Sequence, residues 1–398
     1  MSLPPPPDSF GPQPPTSGGQ PAGGVPQHWA PQQSAGPAGP PQGGAPSWGP
    51  QQQWPGQQWP GSPPPQGGGG KTKWILGIIA VVLAIALAVV ITVVLVRPDN
   101  SGNGAANAGS SGAESEFASA NDTGPVNIIT DDTTCDAWNT IVGKSTEVAE
   151  SVNWADRDYK LPASSWTPEQ RAMFDSMGKA LTQAADQAVN LAKKTPNRVM
   201  RILYEQFIAY SRAFDESIPT YNGEGDDLLV AASNGASNGL TYICAAITYR
   251  VAQATSPLVP GGSRPSTIAV PGNPTAARKL LEEPNSICAE WKSLASKFDD
   301  DTESWRLIDK NIPAKEWTPE QKALNDAIVP TMLTNADEME RLGRKSGNPA
   351  LEDVATLGAQ YRRAFAQTIP DYKPADGYLL LTATGLTLLI NAACKATT

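Results

Sequence analysis

The sequence contains a single histidine, His28, which lies in an N-terminal stretch of proline, glycine and glutamine. Without a histidine in a segment that could fold, the chain cannot assemble a Ser-His-Asp or Cys-His arrangement, or a zinc site built on imidazole ligands. Acid-base chemistry by carboxylates alone stays open, because Asp and Glu can be tuned by their surroundings. We expect no cofactor and no metal.

Basic residues are also scarce. The chain has 30 Lys and Arg against 39 Asp and Glu, a formal net charge of -9, and no basic stripe with interleaved aromatics. Proteins that bind polyanions usually carry a basic face. Nucleic acid is therefore not an expected partner.

Residues 1–70 contain no Lys or Arg and consist almost wholly of Pro, Gly, Gln, Ser and Ala. Such a composition cannot bury enough apolar surface to offset the loss of chain entropy on folding. The segment is predicted to be a disordered tail. Four tryptophans are scattered through it: Trp29, Trp48, Trp54 and Trp59.

An uncharged run follows the tail, WILGIIAVVLAIALAVVITVVLV at 74–96. As a helix it would be about 34 Å long, enough for a bilayer core of about 30 Å. A buried core helix is the other interpretation, but a run that is apolar all the way round and stands beside a disordered tail favours a membrane span. A cleaved signal peptide would have a shorter apolar region close to the N-terminus. The run predicts one uncleaved transmembrane helix in a type II, single-pass protein.

The flanks of the run predict its orientation. Lys71 and Lys73 precede it, whereas Arg97 alone follows it, so the positive-inside rule places the tail in the cytoplasm. All four cysteines lie beyond the span, as expected for an oxidising exterior. The predicted location is the cell membrane, with the N-terminus cytoplasmic and the C-terminal part extracytoplasmic. Residues 97–125, rich in Gly, Ser, Asn and Ala, are predicted to form a flexible stem.

The pentapeptide WTPEQ occurs twice, at 166–170 and at 317–321. Around it, YSRAFDESIPTY (210–221) matches YRRAFAQTIPDY (361–372), and the register drifts by only three residues across the whole match. The C-terminal part therefore reads as a duplication. We place repeat domain 1 at 126–253, a linker of Pro, Gly and Ser at 254–283, and repeat domain 2 at 284–398.

Apolar residues in both copies recur at steps of three and four, and no alternating strand pattern is present. The predicted fold class is all-α, with two tandem four-helix-bundle-like domains. The predicted helices lie near 134–152, 168–193, 197–217 and 226–250 in the first copy, and near 286–300, 319–345, 350–368 and 377–395 in the second.

The repeated pentapeptide has the pattern of a helix start. Thr167 and Thr318 stand at the N-cap, Pro follows at the first helical position, and Gln stands at the third. We interpret both threonines as helix caps within capping boxes. The residues that would complete a hydrophobic staple are Arg171 and Lys322, so the tryptophans are expected to pack elsewhere.

Each copy has one cysteine at the start of its first helix and one near the end of its last. An oxidising exterior favours disulfides over inert thiols. A bond duplicated with its domain must lie within one copy, which favours Cys135 with Cys244 and Cys288 with Cys394, although pairing between the copies stays possible. Each bond would close a loop of about 110 residues.

Four further residues are possible ligand contacts because they recur at the same place in both copies. Trp166 and Trp317 are typical of core packing, but such rings also contact lipids or glycans. Asp186 and Asp337 are typical of a solvated or salt-bridged helix face, but they are also the best candidates for carboxylate chemistry. We assign no catalytic residue.

The order of features resembles the proline-rich single-pass membrane proteins of mycobacteria and related actinobacteria. The features are a Pro, Gln and Gly-rich head, one span, and then Cys, WTPEQ, Tyr-x-Arg-Ala-Phe, Ile-Pro-x-Tyr and Cys, over essentially the whole chain. That family is poorly characterised, so the resemblance implies the cell envelope and an oxidising exterior rather than an activity.

The leading hypothesis is a non-enzymatic envelope protein whose outer domains bind an envelope component or a protein, while the tail recruits cytoplasmic partners. The alternatives are an extracytoplasmic hydrolase or transferase that uses carboxylates, and a sensor or lipid carrier with an apolar pocket.

Overall fold

The computed structural model describes residues 115–397. The predicted tail at 1–70, the predicted span at 74–96 and most of the predicted stem lie outside the described residues. Within the described part the fold is all-α, with nine helices and no strand. The helices are α1 (Cys135–Ser151), α2 (Pro168–Lys194), α3 (Arg198–Ser217), α4 (Glu224–Thr248), α5 (Val251–Thr255), α6 (Cys288–Thr302), α7 (Pro319–Lys345), α8 (Pro349–Thr368) and α9 (Gly377–Lys395).

The long helices form a first set, α1 to α4, and a second set, α6 to α9, with the same order of neighbours. In each set the first helix packs on the second and fourth, the second on the third, and the third on the fourth. The bounds differ from the sequence-based ones by two residues or fewer. The short helix α5 was not predicted. Arg250, at φ 61°, has a left-handed backbone that separates α5 from α4. The sequence has no glycine at this place that would signal the break.

Helices α2 and α7 begin in the same way, at the repeated pentapeptide. The amide of Gln170 donates to Thr167 Oγ1 at 3.2 Å, and the amide of Thr167 donates back to Gln170 Oε1 at 2.9 Å. The same two bonds join Thr318 and Gln321 at the same distances. Both capping boxes are complete, so four helix-start amides that would otherwise lack partners inside the helix are satisfied by local sequence alone.

The first and last helices of each set are joined by a disulfide. Cys135 is bonded to Cys244 and Cys288 to Cys394, each with 5.3 Å between the Cα atoms. The four cysteines of the sequence are thus all paired. Each bond lies within one helix set. It joins the first helix, which packs least extensively on its neighbours, to the last helix, which is the most apolar of the set.

The two sets meet mainly through their last helices, α4 and α9, which contact each other more extensively than either contacts its own set. Glycines make the approach close: a Cβ on Gly235 would lie 2.5 Å from the backbone N of Leu389, and one on Gly385 would lie 2.9 Å from the N of Gly239. The offset of 150 that relates Cys244 to Cys394 also relates Gly235 to Gly385 and Gly239 to Leu389. The two contacts are therefore equivalents of each other, as in a two-fold symmetric pair.

The chain before α1 and the linker are held against α3 and α8. Val126, Ile128 and Ile129 are buried in the core ahead of α1. In the linker, the backbone N and the hydroxyl of Ser266 donate to Glu352 Oε1, at 3.0 and 3.2 Å. The linker is thus anchored to a buried side chain of α8 at its middle.

One helical segment in the described part of the chain, Pro374–Lys395, is long and apolar enough to cross a membrane by length and composition. Its most apolar window is 67% buried inside the structure, where α9 packs against α4 and α8. A core helix of a soluble domain passes the same test.

Candidate functional site

Trp166 and Trp317 occupy identical loops ahead of α2 and α7. The indole Nε1 of Trp166 donates to the carbonyl of Leu161 at 2.9 Å, and that of Trp317 donates to the carbonyl of Ile312 at 2.9 Å. Both rings are half-buried and pack on the core. Their polar edge is satisfied within the loop, so these residues serve to fix the loop on its own helix set.

The ring neighbours differ between the sets. Trp166 stacks on Phe174 with 4.0 Å between centroids, and the Cζ atom of Arg171 lies 5.3 Å from its ring centroid. Arg171 also donates to the carbonyl of Ala163 at 2.9 Å. The arginine at the staple position is therefore a cation-π partner of the tryptophan, a contact that a search for a hydrophobic staple misses.

Asp186 and Asp337 lie on the surface and each binds one arginine. Asp186 accepts from Arg212 at 2.7 Å, and Asp337 accepts from Arg363 at 2.8 Å. Their side chains are 63% and 72% exposed. The geometry is that of a salt-bridged helix face. Acid-base chemistry by two carboxylates needs a second carboxylate close to the first, and none is bonded to either aspartate among the described residues.

Three arginines are buried among the described residues, and no sequence pattern predicts their burial. Arg198 on α3 binds Asp353 on α8 by two bonds, Nε to Oδ2 at 2.7 Å and Nη2 to Oδ1 at 3.1 Å. Arg198 also donates to the backbone carbonyl of Asp122. Burial raises the pKa of Asp353, and the hydrogen bond and charge of Arg198 oppose that rise. This pair joins the two helix sets and the segment ahead of α1.

Arg201, the second of them, binds Glu205 at 3.0 Å and donates to the linker carbonyl of Ala269 at 2.7 Å. Its Nε donates to the hydroxyl of Ser119 at 3.1 Å. Arg201 therefore holds the linker and the segment ahead of α1 on the same helix. The charge of Arg201 is balanced by Glu205, which lies one turn later in the same helix.

Arg362 on α8 is the third, and it is bound differently. It is 2% exposed, its Nη1 donates to the amide oxygen of Asn335 on α7, and its Cζ lies 4.0 Å from the ring centroid of Phe298 on α6. Its Nε has no hydrogen-bond partner in the described structure. Burial lowers the pKa of Arg362 to about 10, and the charge of Asp299 opposes that shift.

The first set has an aromatic cluster where the second set has polar groups. Trp154 packs edge-on against Phe174 and Phe214, with centroids 5.0 and 5.9 Å apart. In the second set the residue equivalent to Phe174 is Asn325, and its Oδ1 accepts a hydrogen bond from Trp305 Nε1 at 2.8 Å. The interiors of the two sets have therefore diverged, while their loops and helix starts have not.

Two large apolar side chains that stand near Trp305 and Asn325 in the sequence are exposed, Leu307 by 74% and Leu324 by 40%. Leu307 lies two residues after Trp305, and Leu324 immediately precedes Asn325. The first set carries Asp156 at the position of Leu307. The fold does not need an apolar residue at that place.

A shallow depression lies along α6, lined by Lys292, Ser293, Ser296, Lys297, Asp300 and Asp301. Its lining is polar and charged, unlike the apolar pocket that a lipid carrier requires. Among residues 115–397 no three or more Asp, Glu, His or Cys side chains converge in a way that could hold a metal ion.

The described part of the chain defines a disulfide-bonded, all-α protein with two like-ordered helix sets. The chain belongs to the family of mycobacterial ESX-1 associated proteins, whose family model matches residues 117–398. It is similar to an uncharacterized protein of Mycolicibacterium smegmatis (strain MKD8), with 41% identity over 329 residues that cover 82% of this chain and 87% of the relative. No solved structure matches it. The mycobacterial family expected from the sequence is confirmed to that extent.

Proposed function

We propose that this protein is a non-enzymatic component of the mycobacterial cell envelope that acts with the ESX-1 secretion system. The observation that carries the proposal is the family match, because it covers all nine helices that the structure describes. Residues 74–96 would hold the protein in the membrane, with the tail in the cytoplasm and both helix sets outside. The pairing of all four cysteines supports an oxidising location for the helices.

The two helix sets are proposed to be tandem copies of one four-helix unit. The equal hydrogen bonds of Trp166 and Trp317 and the equal capping boxes support a common origin. Because α4 packs so extensively on α9, the copies would act as one binding body rather than as two independent modules. The tail, with its Pro and Trp-rich stretches, would recruit partners on the cytoplasmic side.

The surface around Leu307 and Leu324 is the region we assign to contact with a protein of the secretion system. Both leucines are exposed, and in the chain Leu307 stands two residues after Trp305 and Leu324 directly before Asn325, the two residues joined by a hydrogen bond. Exposed apolar surface is a feature of protein interfaces. The first set, with Asp156 in place of Leu307, offers no such surface. The carboxylate-dependent enzyme is the weaker alternative, since Asp186 and Asp337 are each bound to an arginine at the surface.

The function can be tested by deleting the gene and measuring export of ESX-1 substrates into the medium. We expect export to fall and the full-length chain to restore it. The Leu307→Asp variant, which copies the first set, should fold normally but restore export less well. Its matched control is Asp156→Asn, which changes the equivalent position in the other set and should restore export fully. Unchanged export in the deletion strain would refute the proposed role.

The membrane arrangement needs a separate test, with alkaline phosphatase fused to the full-length chain. The enzyme is active only where its own disulfides form, so a fusion after residue 398 should be active and a fusion before residue 74 inactive. The opposite result would reverse the proposed orientation. Activity of neither fusion, with both proteins expressed, would place the helix sets inside the cell.

A further inference from the structure

Arg362 differs from the other two buried arginines in its charge partner. Arg198 has Asp353 at 2.7 Å and Arg201 has Glu205 at 3.0 Å, whereas no carboxylate in the described structure lies within 4.0 Å of the guanidinium of Arg362. The charge of Asp299 acts on it from farther away, and Asp299 Oδ1 is already bound by Arg306 at 2.9 Å. Arg362 is therefore a buried cation without a direct counterion.

The fold itself does not require this charge. The equivalent of Arg362 in the first set is Ser211, which shares a 2.8 Å hydrogen bond with Ser233, and the equivalent of Asn335 is Ala184. The same helix pair thus packs in the first set without a buried arginine. A buried and incompletely paired charge costs stability, so its presence in only one set points to a use beyond folding.

The geometry of Arg198 shows what Arg362 lacks. Arg198 binds the carboxylate of Asp353 through Nε and one terminal nitrogen, the side-on arrangement common for arginine. In Arg362 the Nε is the atom without a partner, although it is shielded from solvent. A carboxylate that approached this edge would complete the arrangement seen at Arg198.

Helix α6 covers Arg362 and has few fully buried residues. It buries only Trp291 near its start and Thr302 at its end, whereas α1 in the first set buries five residues. Phe298, which lies against the guanidinium, is only half-buried. The disulfide at Cys288 fixes the start of α6, so a movement that uncovers Arg362 is confined to its second half.

We propose that Arg362 is the anchor of a binding site for a small carboxylate with an apolar body, which enters when the second half of α6 moves away from α8. The carboxylate accepts hydrogen bonds from the guanidinium, and the apolar body contacts Phe298, Trp305 and Phe365. The last two rings lie edge-on with centroids 5.9 Å apart. Because the disulfide holds the start of α6, only its second half is free to move, so the proposed occupant is a small molecule rather than a helix of a partner protein. The site is independent of the proposed role in secretion.

Benzoate is a suitable probe because benzamide matches its shape without its charge. Saturating benzoate should raise the melting temperature of the purified full-length protein by about 2 °C or more, and benzamide should not. The Arg362→Ser variant, which carries the residue of the first set, should abolish the shift. The Arg363→Ser variant removes the half-buried neighbour that binds Asp337 and Glu340, and it should retain the shift. An equal shift with benzamide, or a shift retained in Arg362→Ser, overturns the proposal, as does no shift in the parent protein.

A second variant and a second measurement keep the test decisive if Arg362→Ser does not fold. Arg362→Lys keeps the charge but loses the planar donor pair, and it should weaken benzoate binding about tenfold. Amide hydrogen exchange should be faster in 292–302 of α6 than in 139–149 of α1, and benzoate should slow it in α6 only. Exchange of α6 at the rate of global unfolding would contradict the required opening.

Discussion

The guanidinium of Arg198 and the carboxylate of Asp353 form two hydrogen bonds, of 2.7 and 3.1 Å, across the junction of the two helix sets. Their positions do not correspond when the two helix sets are aligned, since Arg198 aligns with Pro349 and Asp353 with Ile202. The pair is therefore a contact additional to the symmetric α4–α9 contact. It fixes one particular arrangement of the two sets and of the segment ahead of α1.

Replacing Arg198 by Met should destabilise the protein by about 3–5 kcal/mol, because Asp353 is then left buried without its partner. The double variant Arg198→Met, Asp353→Leu should recover most of that loss, since the remaining charge partner of Arg198, Asp122, is partly exposed to solvent and no fully buried charge is left unpaired. Urea denaturation of the three proteins gives both values.

The exposed pair of Arg212 and Asp186 is the control for that experiment. Arg212→Ala should cost no more than about 1 kcal/mol, because solvent screens a surface pair. Equal losses at the two sites would contradict the distinction between a buried and an exposed ion pair.

Adding a methyl group to Gly235 should disturb the α4–α9 contact, because the new Cβ would meet the backbone of Leu389 at 2.5 Å, where no side chain can rotate away. We expect Gly235→Ala to cost about 1–3 kcal/mol despite its better helix propensity. Gly143→Ala in α1 has no atom within 4 Å of the added Cβ and should stabilise by about 0.5–1 kcal/mol. Thermal denaturation distinguishes the two, and a stabilising Gly235→Ala would show that α4 and α9 are not closely packed.

Removing either disulfide should lower stability by about 4–5 kcal/mol in the chain-entropy model, because the bonds close loops of 109 and 106 residues. The matched variants are Cys135→Ala with Cys244→Ala, and Cys288→Ala with Cys394→Ala. Peptide mapping under non-reducing conditions checks the pairing directly. Cross-linked peptides that join Cys135 to Cys288 or Cys394 would contradict it.

Thr167→Ala and Thr318→Ala should each cost about 1 kcal/mol, because each removes the acceptor for a helix-start amide. The two losses should be similar, since the two capping boxes have the same geometry. Thr140→Ala, at an exposed position inside α1, is the control and should change stability by less than about 0.5 kcal/mol. Denaturant midpoints measured side by side provide the comparison.

The helix starts were predictable because they depend on residues within four positions of one another. Thr167, Pro168 and Gln170 contain all the atoms of the capping box, so their order in the chain is enough to define it. Helix bounds were predictable for a related reason, since the spacing of apolar residues reports which face each helix buries. The break at Arg250 was missed because arginine is not a residue type that signals a left-handed backbone.

The roles of the proposed contact residues were harder to predict. The recurrence of Trp166 and Trp317 indicated that a tryptophan is required at this position in both copies. It did not indicate that each indole nitrogen donates to a backbone carbonyl of its own loop. Nothing in the sequence predicted that Arg362 is buried. Within the repeated Tyr-x-Arg-Ala-Phe pattern it stands at the variable position, where the first copy has Ser211, and only the surrounding helices show that it is buried.

The sequence by itself determined the local features of this protein: the all-α class, the helix starts at the two WTPEQ stretches and the bounds of the eight long helices. Such features follow from contacts between near neighbours and from the periodicity of apolar residues. Only the tertiary structure decided that α4 and α9 pair across the two sets, that Arg198 meets Asp353, and that Arg362 lies under α6 without a counterion. Those relationships join residues far apart in the chain, and a repeat in sequence carries no information about how its copies pack on each other.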